Sequence, residues 1–156
     1  MAGTLVELLT ENMIRLNVEA KDWHEALLFG GQLLVDAGGA EARYLDAMIE
    51  MVNEMGPYVV IAPGLALGHA GPDKGVNFTC FSLITLKTPV EFGIPENDPV
   101  DIIFSFAAPN KEEHMEALRG LALFCMEKEN LDVLRAAQEV SEVQDALKAF
   151  FQNNQD

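Results

Sequence analysis

Apolar and polar residues in the first third of the chain follow two periods. The segment MIRLNVEA alternates apolar and polar residues, which predicts a strand at the edge of a sheet. The next two segments, DWHEALLFGGQLLVDAGG and AEARYLDAMIEMVNEMGP, repeat their apolar residues at helical spacing. Asp22 is placed to cap the first of these helices, and Gly56–Pro57 end the second. The pattern therefore predicts one strand followed by two helices.

Strand-like runs occupy the middle of the chain. YVVIAPGLALGH predicts a strand that is broken at Pro63–Gly64, and VNFTCFSLITL predicts a second strand rich in β-branched and aromatic residues. VDIIFSFAA is apolar almost throughout, so it predicts a central strand covered on both faces. The intervening segment TPVEFGIPENDP carries three prolines and predicts a loop. Three strands therefore follow the two helices.

The second half of the chain has helical patterns. Asn110 caps a long helix, a shorter helix LDVLRAAQ follows, and Ser141 caps the last one. The order of one strand, two helices, three strands and three helices favours an α/β fold, in which helices flank a mixed β-sheet in layers. The length of 156 residues suits a single domain over 1–156, and we expect the last residues, 152–156, to be disordered.

Charge and composition narrow the function classes. The formal net charge is −15, a field that repels nucleic acid and anionic membranes and favours partners with a basic face. No apolar run reaches the ~18 to 20 residues that span a bilayer, and the first residues have no cationic lead, so a cytoplasmic protein is expected. Cys80 and Cys125 are expected to be reduced core thiols, and neither a metal site nor a cofactor is indicated.

His69 lies in the most unusual segment, GLALGHAGPDKG, where four glycines and a proline surround one titratable ring. The turn that follows it can expose main-chain N–H groups to an anion, which is one interpretation. The alternative is a loop histidine without a function. His24, the second residue of a capped helix, is expected to be a solvated surface residue.

His114 lies in the first turn of the helix that Asn110 caps, just after the strong strand. Ligand sites of α/β sheets lie in such places, and helix N-termini attract anions. The alternative is a histidine at the edge of the core that bonds a carbonyl. The glycine spacing does not match phosphate-binding loops, and no nucleophile elbow is present, which argues against nucleotide binding and serine hydrolysis.

The chain resembles the enzyme IIA components of the sugar phosphotransferase system. The resemblance is to the mannitol/fructose class, is closest to its ascorbate-type branch, and covers roughly residues 5 to 150. It is carried by the segments YLDAMIE, GPYVVIAPGLALGHA, FSLITLKTPVEF, NDPVDIIFSFAAPNKEEHMEAL and VLRAAQEVSEVQDAL. It implies a mixed sheet flanked by helices and a phosphotransferase in which His69 carries the phosphoryl group and His114 supports it.

The resemblance also implies partners and a pathway. The chain would accept phosphate from the histidine-containing phosphocarrier protein and donate it to a cysteine of a cognate IIB component. It would meet the membrane IIC component only indirectly, in the uptake of ascorbate or a related sugar, and a homodimer is left open. Two alternatives stay open: a regulatory phosphohistidine module that signals to a regulator, and a binding domain without chemistry.

Three residues depart from the family pattern. Gly68 and Ala70 stand where the family has proline before the carrier histidine and often glycine after it. Met51 stands near the place of an arginine that helps hold the phosphate in mannitol-type members. Positive charge must then come from His114, from main-chain N–H groups or from Lys74.

Small uncharged residues around the carrier ring complete the expectation. We expect the phosphoryl and partner-contact residues to be Gly64, Leu67, Gly68, Ala70 and Lys74. Because most of them carry no charge, they predict an apolar docking patch at the ring, surrounded by acidic helices that would steer a basic-faced partner.

Overall fold

The computed structural model describes residues 5–153 of the chain. The strands are β1 (Ile14–Val18), β2 (Val60–Ala62), β3 (Leu65–Gly68), β4 (Cys80–Val90) and β5 (Val100–Ala107). The helices are α1 (Leu5–Leu8), α2 (Trp23–Asp36), α3 (Arg43–Met55), α4 (Lys111–Cys125), α5 (Lys128–Ala136) and α6 (Val140–Asn153), and a 3-10 turn (Glu11–Met13) precedes β1.

The five strands form one mixed sheet in the order β1-β4-β5-β3-β2. β1 is parallel to β4, and β3 is parallel to β5. The pairs β4–β5 and β2–β3 are antiparallel. The strong strand predicted from VDIIFSFAA is therefore the central strand β5, and β1 is an edge strand, as the sequence predicted.

Helices cover both faces of the sheet. Ser82 on β4 and Ser105 on β5 face α2, where the Ser82 hydroxyl donates a 2.7 Å hydrogen bond to the Gly30 carbonyl oxygen. Side chains alternate along a strand, so Phe106 points to the opposite face. There its ring contacts His114 of α4. The sheet is thus the middle layer of the predicted α/β arrangement.

Some boundaries differ from the sequence predictions. β4 continues to Val90, into the segment expected to be a loop, because Val90 pairs with Val100 of β5 after an irregularity in register that accommodates Pro89. Ser141 is the second residue of α6, so its predicted capping role is wrong. α1 was not predicted.

The ends of the chain carry one further expectation. Gln152 and Asn153, which were expected to be disordered, belong to α6. Residues 154–156 lie outside the described residues.

Both cysteines are free, as the sequence predicted. Burial raises the pKa of Cys80 and of Cys125 to about 12, which keeps them as thiols at neutral pH. Among the helices within residues 5–153, none combines the length and the apolar character needed to cross a bilayer.

Candidate functional site

Two parallel neighbouring strands bring His69 and His114 together. β3 and β5 pair in parallel with Gly68 opposite Ser105, so both strands end at the same edge of the sheet. His69 is the first residue after β3, and the chain leaving β5 enters α4, whose fourth residue is His114. The two ring centroids are 5.5 Å apart. The sequence analysis placed both histidines after strands, and the topology makes those positions adjacent.

A main-chain carbonyl fixes the tautomer of His69. Its Nδ1 lies 3.1 Å from the carbonyl oxygen of Leu67. A carbonyl oxygen can only accept, so Nδ1 carries the proton and donates it in this hydrogen bond. In the neutral ring, Nε2 then holds the unprotonated lone pair. The nitrogen with a free lone pair in the neutral ring is therefore Nε2.

Aromatic rings surround the His69 imidazole. Phe106 of β5 stacks against it at a centroid distance of 5.2 Å. Tyr58, two residues before β2, contacts the ring edge-on at a centroid distance of 5.5 Å. The ring is half-buried.

His114 is positioned by the cap of its helix. The Asn110 side-chain oxygen accepts a 2.9 Å hydrogen bond from the Glu113 main-chain N–H, which confirms the predicted cap. The His114 ring packs on Phe106 at 4.9 Å between centroids. Its Nδ1 is buried without a hydrogen-bond partner among the described residues. Because a proton on Nδ1 would remain unbonded, the neutral ring carries its proton on Nε2.

Both imidazoles are neutral at neutral pH. Burial lowers the pKa of His69 below its usual 6.5, the hydrogen bond to Leu67 opposes this, and the nearby His114 lowers the pKa further. Burial also lowers the pKa of His114 below 6.5. The site therefore contains one nucleophilic nitrogen and, a few ångströms away, one N–H donor, without a formal charge on either ring.

Two tyrosines complete the site, and sequence reasoning missed their role. The Tyr58 hydroxyl lies 3.2 Å from the carbonyl oxygen of His69 and 3.3 Å from the sulfur of Met51. The buried Tyr44 hydroxyl bonds the main chain of Ala70 and of Phe106. Tyr44 was recognised only as part of the apolar stripe of α3. A buried tyrosine hydroxyl needs a hydrogen-bond partner, so the position of Tyr44 on a buried stripe was the signal in the sequence that could have indicated this role.

The predicted docking patch is wrong for Leu67, Gly68 and Ala70. All three are buried; Leu67 is only 4% exposed and Ala70 only 2%. Leu67 and Gly68 lie on β3, which runs between β2 and β5 and is buried at all four of its residues. Ala70 follows the strand, and its N–H bonds the buried Tyr44 hydroxyl. These residues are buried next to His69 in the chain and do not form a surface that a partner could touch. A charge at Leu67 would therefore disrupt the core.

Gly64 and Lys74 also differ from the expectation. Gly64 lies just before β3, at the end of the strand opposite His69, and an added Cβ there would meet the Arg135 side chain. It is a turn residue with φ of +76°, a conformation that favours glycine. Lys74 is exposed, and the stem of its side chain passes Gly71, two residues after His69. No ion pair or hydrogen bond of its ammonium group occurs within the described part of the chain.

Comparison with known proteins gives one consistent result. Residues 7–150 match the family described as "Phosphoenolpyruvate-dependent sugar phosphotransferase system, EIIA 2". The "Ascorbate-specific PTS system EIIA component" of Escherichia coli K12 is 45% identical over 141 residues, which cover 89% of this chain and 92% of that protein. The resemblance seen in the sequence is confirmed.

Solved structures agree on the fold. The solution structure of the mannitol-specific cryptic phosphotransferase enzyme IIA CmtB from Escherichia coli has a TM-score of 0.85 at 28% identity, covering 94% of this chain and 99% of that one. The crystal structure of IIA mannitol from the same species has a TM-score of 0.80 at 26% identity, covering 89% of this chain and 98% of that one. The predicted mixed sheet flanked by helices is confirmed.

An NMR titration of the imidazole C2–H signals tests the electrostatics of the site. We expect the pKa of His69 to lie below 6.5 in the parent chain. It should rise in His114→Ala, because that change removes both the second ring and part of the burial. A His69 pKa at or above 6.5 in the parent chain, or one unmoved by His114→Ala, would contradict this description.

Proposed function

The chain belongs to the EIIA 2 family of the phosphoenolpyruvate-dependent sugar phosphotransferase system, and we propose that it carries the phosphoryl group on Nε2 of His69. The family assignment makes it a phosphoryl carrier of a sugar phosphotransferase system. The hydrogen bond from Nδ1 to the Leu67 carbonyl supports the choice of Nε2, because it leaves Nε2 as the nitrogen with the lone pair. The whole chain, 1–156, acts as one IIA domain in this proposal.

Transfer needs two displacements at phosphorus. The Nε2 lone pair of His69 attacks the phosphorus of the donor's phosphohistidine, and the new N–P bond forms as the donor's N–P bond breaks. A cysteine thiolate of the IIB component then attacks the same phosphorus, and the bond to Nε2 breaks, which returns the lone pair to His69. Such reactions depend mainly on alignment and on stabilisation of charge on the phosphoryl oxygens.

His114 supplies part of that stabilisation. Its ring centroid is 5.5 Å from that of His69, close enough for its Nε2–H to reach an oxygen of a phosphoryl group bound to His69. The negative charge of the phosphoryl group raises the pKa of a neighbouring imidazole. His114 therefore gains proton affinity when the phosphoryl group arrives and loses it when the group leaves. Before phosphorylation its neutral state leaves His69 uncharged and nucleophilic.

The remaining charge comes from outside the two rings. Met51, near the place of the family arginine, contacts the Tyr58 hydroxyl and carries no charge. Lys74 extends past Gly71 toward solvent and supplies a cation near the carrier ring when a phosphoryl group is present.

Substrate and partners follow from the relatives. Because the curated relative from Escherichia coli is named as ascorbate-specific and is 45% identical, this chain serves the uptake of ascorbate or a related sugar. The phosphoryl group comes from the histidine-containing phosphocarrier protein and passes to a cognate IIB component, in the cytoplasm. The net charge of −15 favours a donor with a basic face.

Intact-mass measurement tests the carrier residue. The chain, mixed with phosphoenolpyruvate and the general phosphotransferase proteins, should gain one acid-labile phosphoryl group, and His69→Ala should gain none. His24→Ala provides the matched control and should be phosphorylated normally. Phosphate retained by His69→Ala would refute the assignment, and an unphosphorylated parent chain would support a binding domain without chemistry.

Rapid-mixing kinetics test the supporting role of His114. We expect His114→Ala to accept the phosphoryl group but to pass it to the cognate IIB component about ten- to a hundredfold more slowly, because one charge-assisted hydrogen bond is lost. Urea unfolding of the same variant checks that the fold persists. A transfer rate equal to that of the parent chain would remove His114 from the mechanism.

A further inference from the structure

Two tyrosine hydroxyls hold the main chain at and after the carrier histidine. The Tyr44 hydroxyl accepts a 2.9 Å hydrogen bond from the Ala70 N–H and donates a 2.8 Å one to the Phe106 carbonyl oxygen. The Tyr58 hydroxyl has two acceptors for its one proton, the His69 carbonyl oxygen at 3.2 Å and the Met51 sulfur at 3.3 Å, and the carbonyl oxygen is the stronger acceptor. The carbonyl and the N–H of the single peptide group that joins residues 69 and 70 are thus bonded by two different side chains.

The two residues that flank His69 and Ala70 restrain their own main-chain torsions only weakly. Gly68 precedes His69 and Gly71 follows Ala70, and glycine allows a wide range of main-chain torsions. A residue with a side chain at position 68 would require its neighbours to shift, because an added Cβ would lie 2.9 Å from the Met48 methyl carbon and 3.0 Å from the Ser105 hydroxyl. The rigidity of the segment must therefore come from contacts made by other parts of the chain.

The orientation of the reactive ring depends on that rigidity. The hydrogen bond from His69 Nδ1 reaches the carbonyl of Leu67, two residues back, so its length is set by the φ and ψ of Gly68, the φ of His69 and the torsions of the ring. When the peptide group that follows His69 is held in place, the Cα of His69 is held too. A displacement of that peptide group would move the Cα through the torsions of Gly68 and would lengthen the bond to Leu67. Loss of that bond would leave the two neutral tautomers close in energy.

The surroundings of both tyrosines favour neutral, hydrogen-bonded hydroxyl groups. Tyr44 lies on α3 and is completely buried, and Tyr58 follows the end of the same helix. Burial raises the pKa of Tyr58 to about 12 and that of Tyr44 further, so both hydroxyls keep their protons. A buried hydroxyl is costly without partners, and Tyr44 both donates and accepts.

We propose that Tyr44 and Tyr58 are positioning residues that clamp residues 69 and 70 and thereby keep Nε2 of His69 as the single aligned nucleophile. The clamp carries no charge and does not touch the phosphoryl group. It acts through the Leu67 hydrogen bond, and its kinetic part rests on the proposed carrier function of His69. It performs the stiffening that Gly68 cannot provide.

Tyr58→Phe is the sharper test because it keeps the ring and removes only the hydroxyl. In long-range ¹H–¹⁵N spectra of the parent chain we expect one His69 tautomer, protonated at Nδ1. In Tyr58→Phe the two nitrogen shifts should move toward each other. The kcat for phosphorylation by the phosphorylated histidine-containing carrier protein should fall about tenfold, with KM unchanged, because alignment is lost and docking is not.

Ser82→Ala is the matched control. It also removes one buried hydroxyl that bonds a main-chain carbonyl, at Gly30, but it lies under α2 and has no hydrogen bond to the clamped segment. We expect Ser82→Ala to keep the parent tautomer and kcat. Tyr44→Phe should show the same tautomer mixing as Tyr58→Phe, together with a lower melting temperature.

The outcomes separate the clamp from the carrier function. If Tyr58→Phe keeps a single Nδ1-protonated His69 and the kcat of Ser82→Ala, the clamp proposal is overturned. The spectra need no phosphate, so they decide the clamp even where the parent chain fails to accept a phosphoryl group. That failure would instead overturn the proposed function and leave the spectroscopic result to stand alone.

Discussion

The hydrogen bond between His69 Nδ1 and the Leu67 carbonyl oxygen is the interaction on which the site depends. It selects one of the two neutral tautomers of the ring, since the carbonyl can bond only a protonated nitrogen. The surrounding residues hold the ring in the orientation that this bond requires and keep it uncharged. Phe106 and Tyr58 limit rotation of the ring, and burial keeps the ring uncharged.

The sheet supplies the geometry for this interaction. β3 and β5 are parallel neighbours, and the chain leaves them at one edge in different directions, toward a tight turn after His69 and toward α4 before His114. Ligand sites of α/β folds form at such places because the exits of two strands diverge there. The cap at Asn110 then sets where α4 begins and so which of its residues faces His69.

Local signals in the sequence were sufficient for much of this structure. Asn110, Asp22 and Gly56 act on neighbours within a few residues, so their roles as helix boundaries were predicted and are confirmed. The predicted order of strands and helices along the chain also indicated the layer arrangement, because such a sequence of elements leaves few ways to cover a sheet. The positions of both histidines after strands were read from the same local pattern.

Features that depend on distant partners were not predictable. The strand character of Val90 depends on pairing with Val100. The bonds of Tyr44 reach 26 and 62 residues along the chain, and a stripe pattern does not identify partners at that distance. Leu67 was placed at a surface because its neighbours are small, whereas its burial is decided by β2 and β5 on either side.

The most direct measurement is the site of phosphorus attachment within the His69 ring. Chain labelled with ¹⁵N and phosphorylated by the general phosphotransferase proteins would be examined for ¹⁵N–³¹P coupling in long-range NMR spectra. The hydrogen bond to Leu67 predicts coupling to Nε2, with Nδ1 still protonated. Coupling to Nδ1 would mean that the Leu67 bond breaks before transfer, and it would contradict the account of how this site selects its nucleophile.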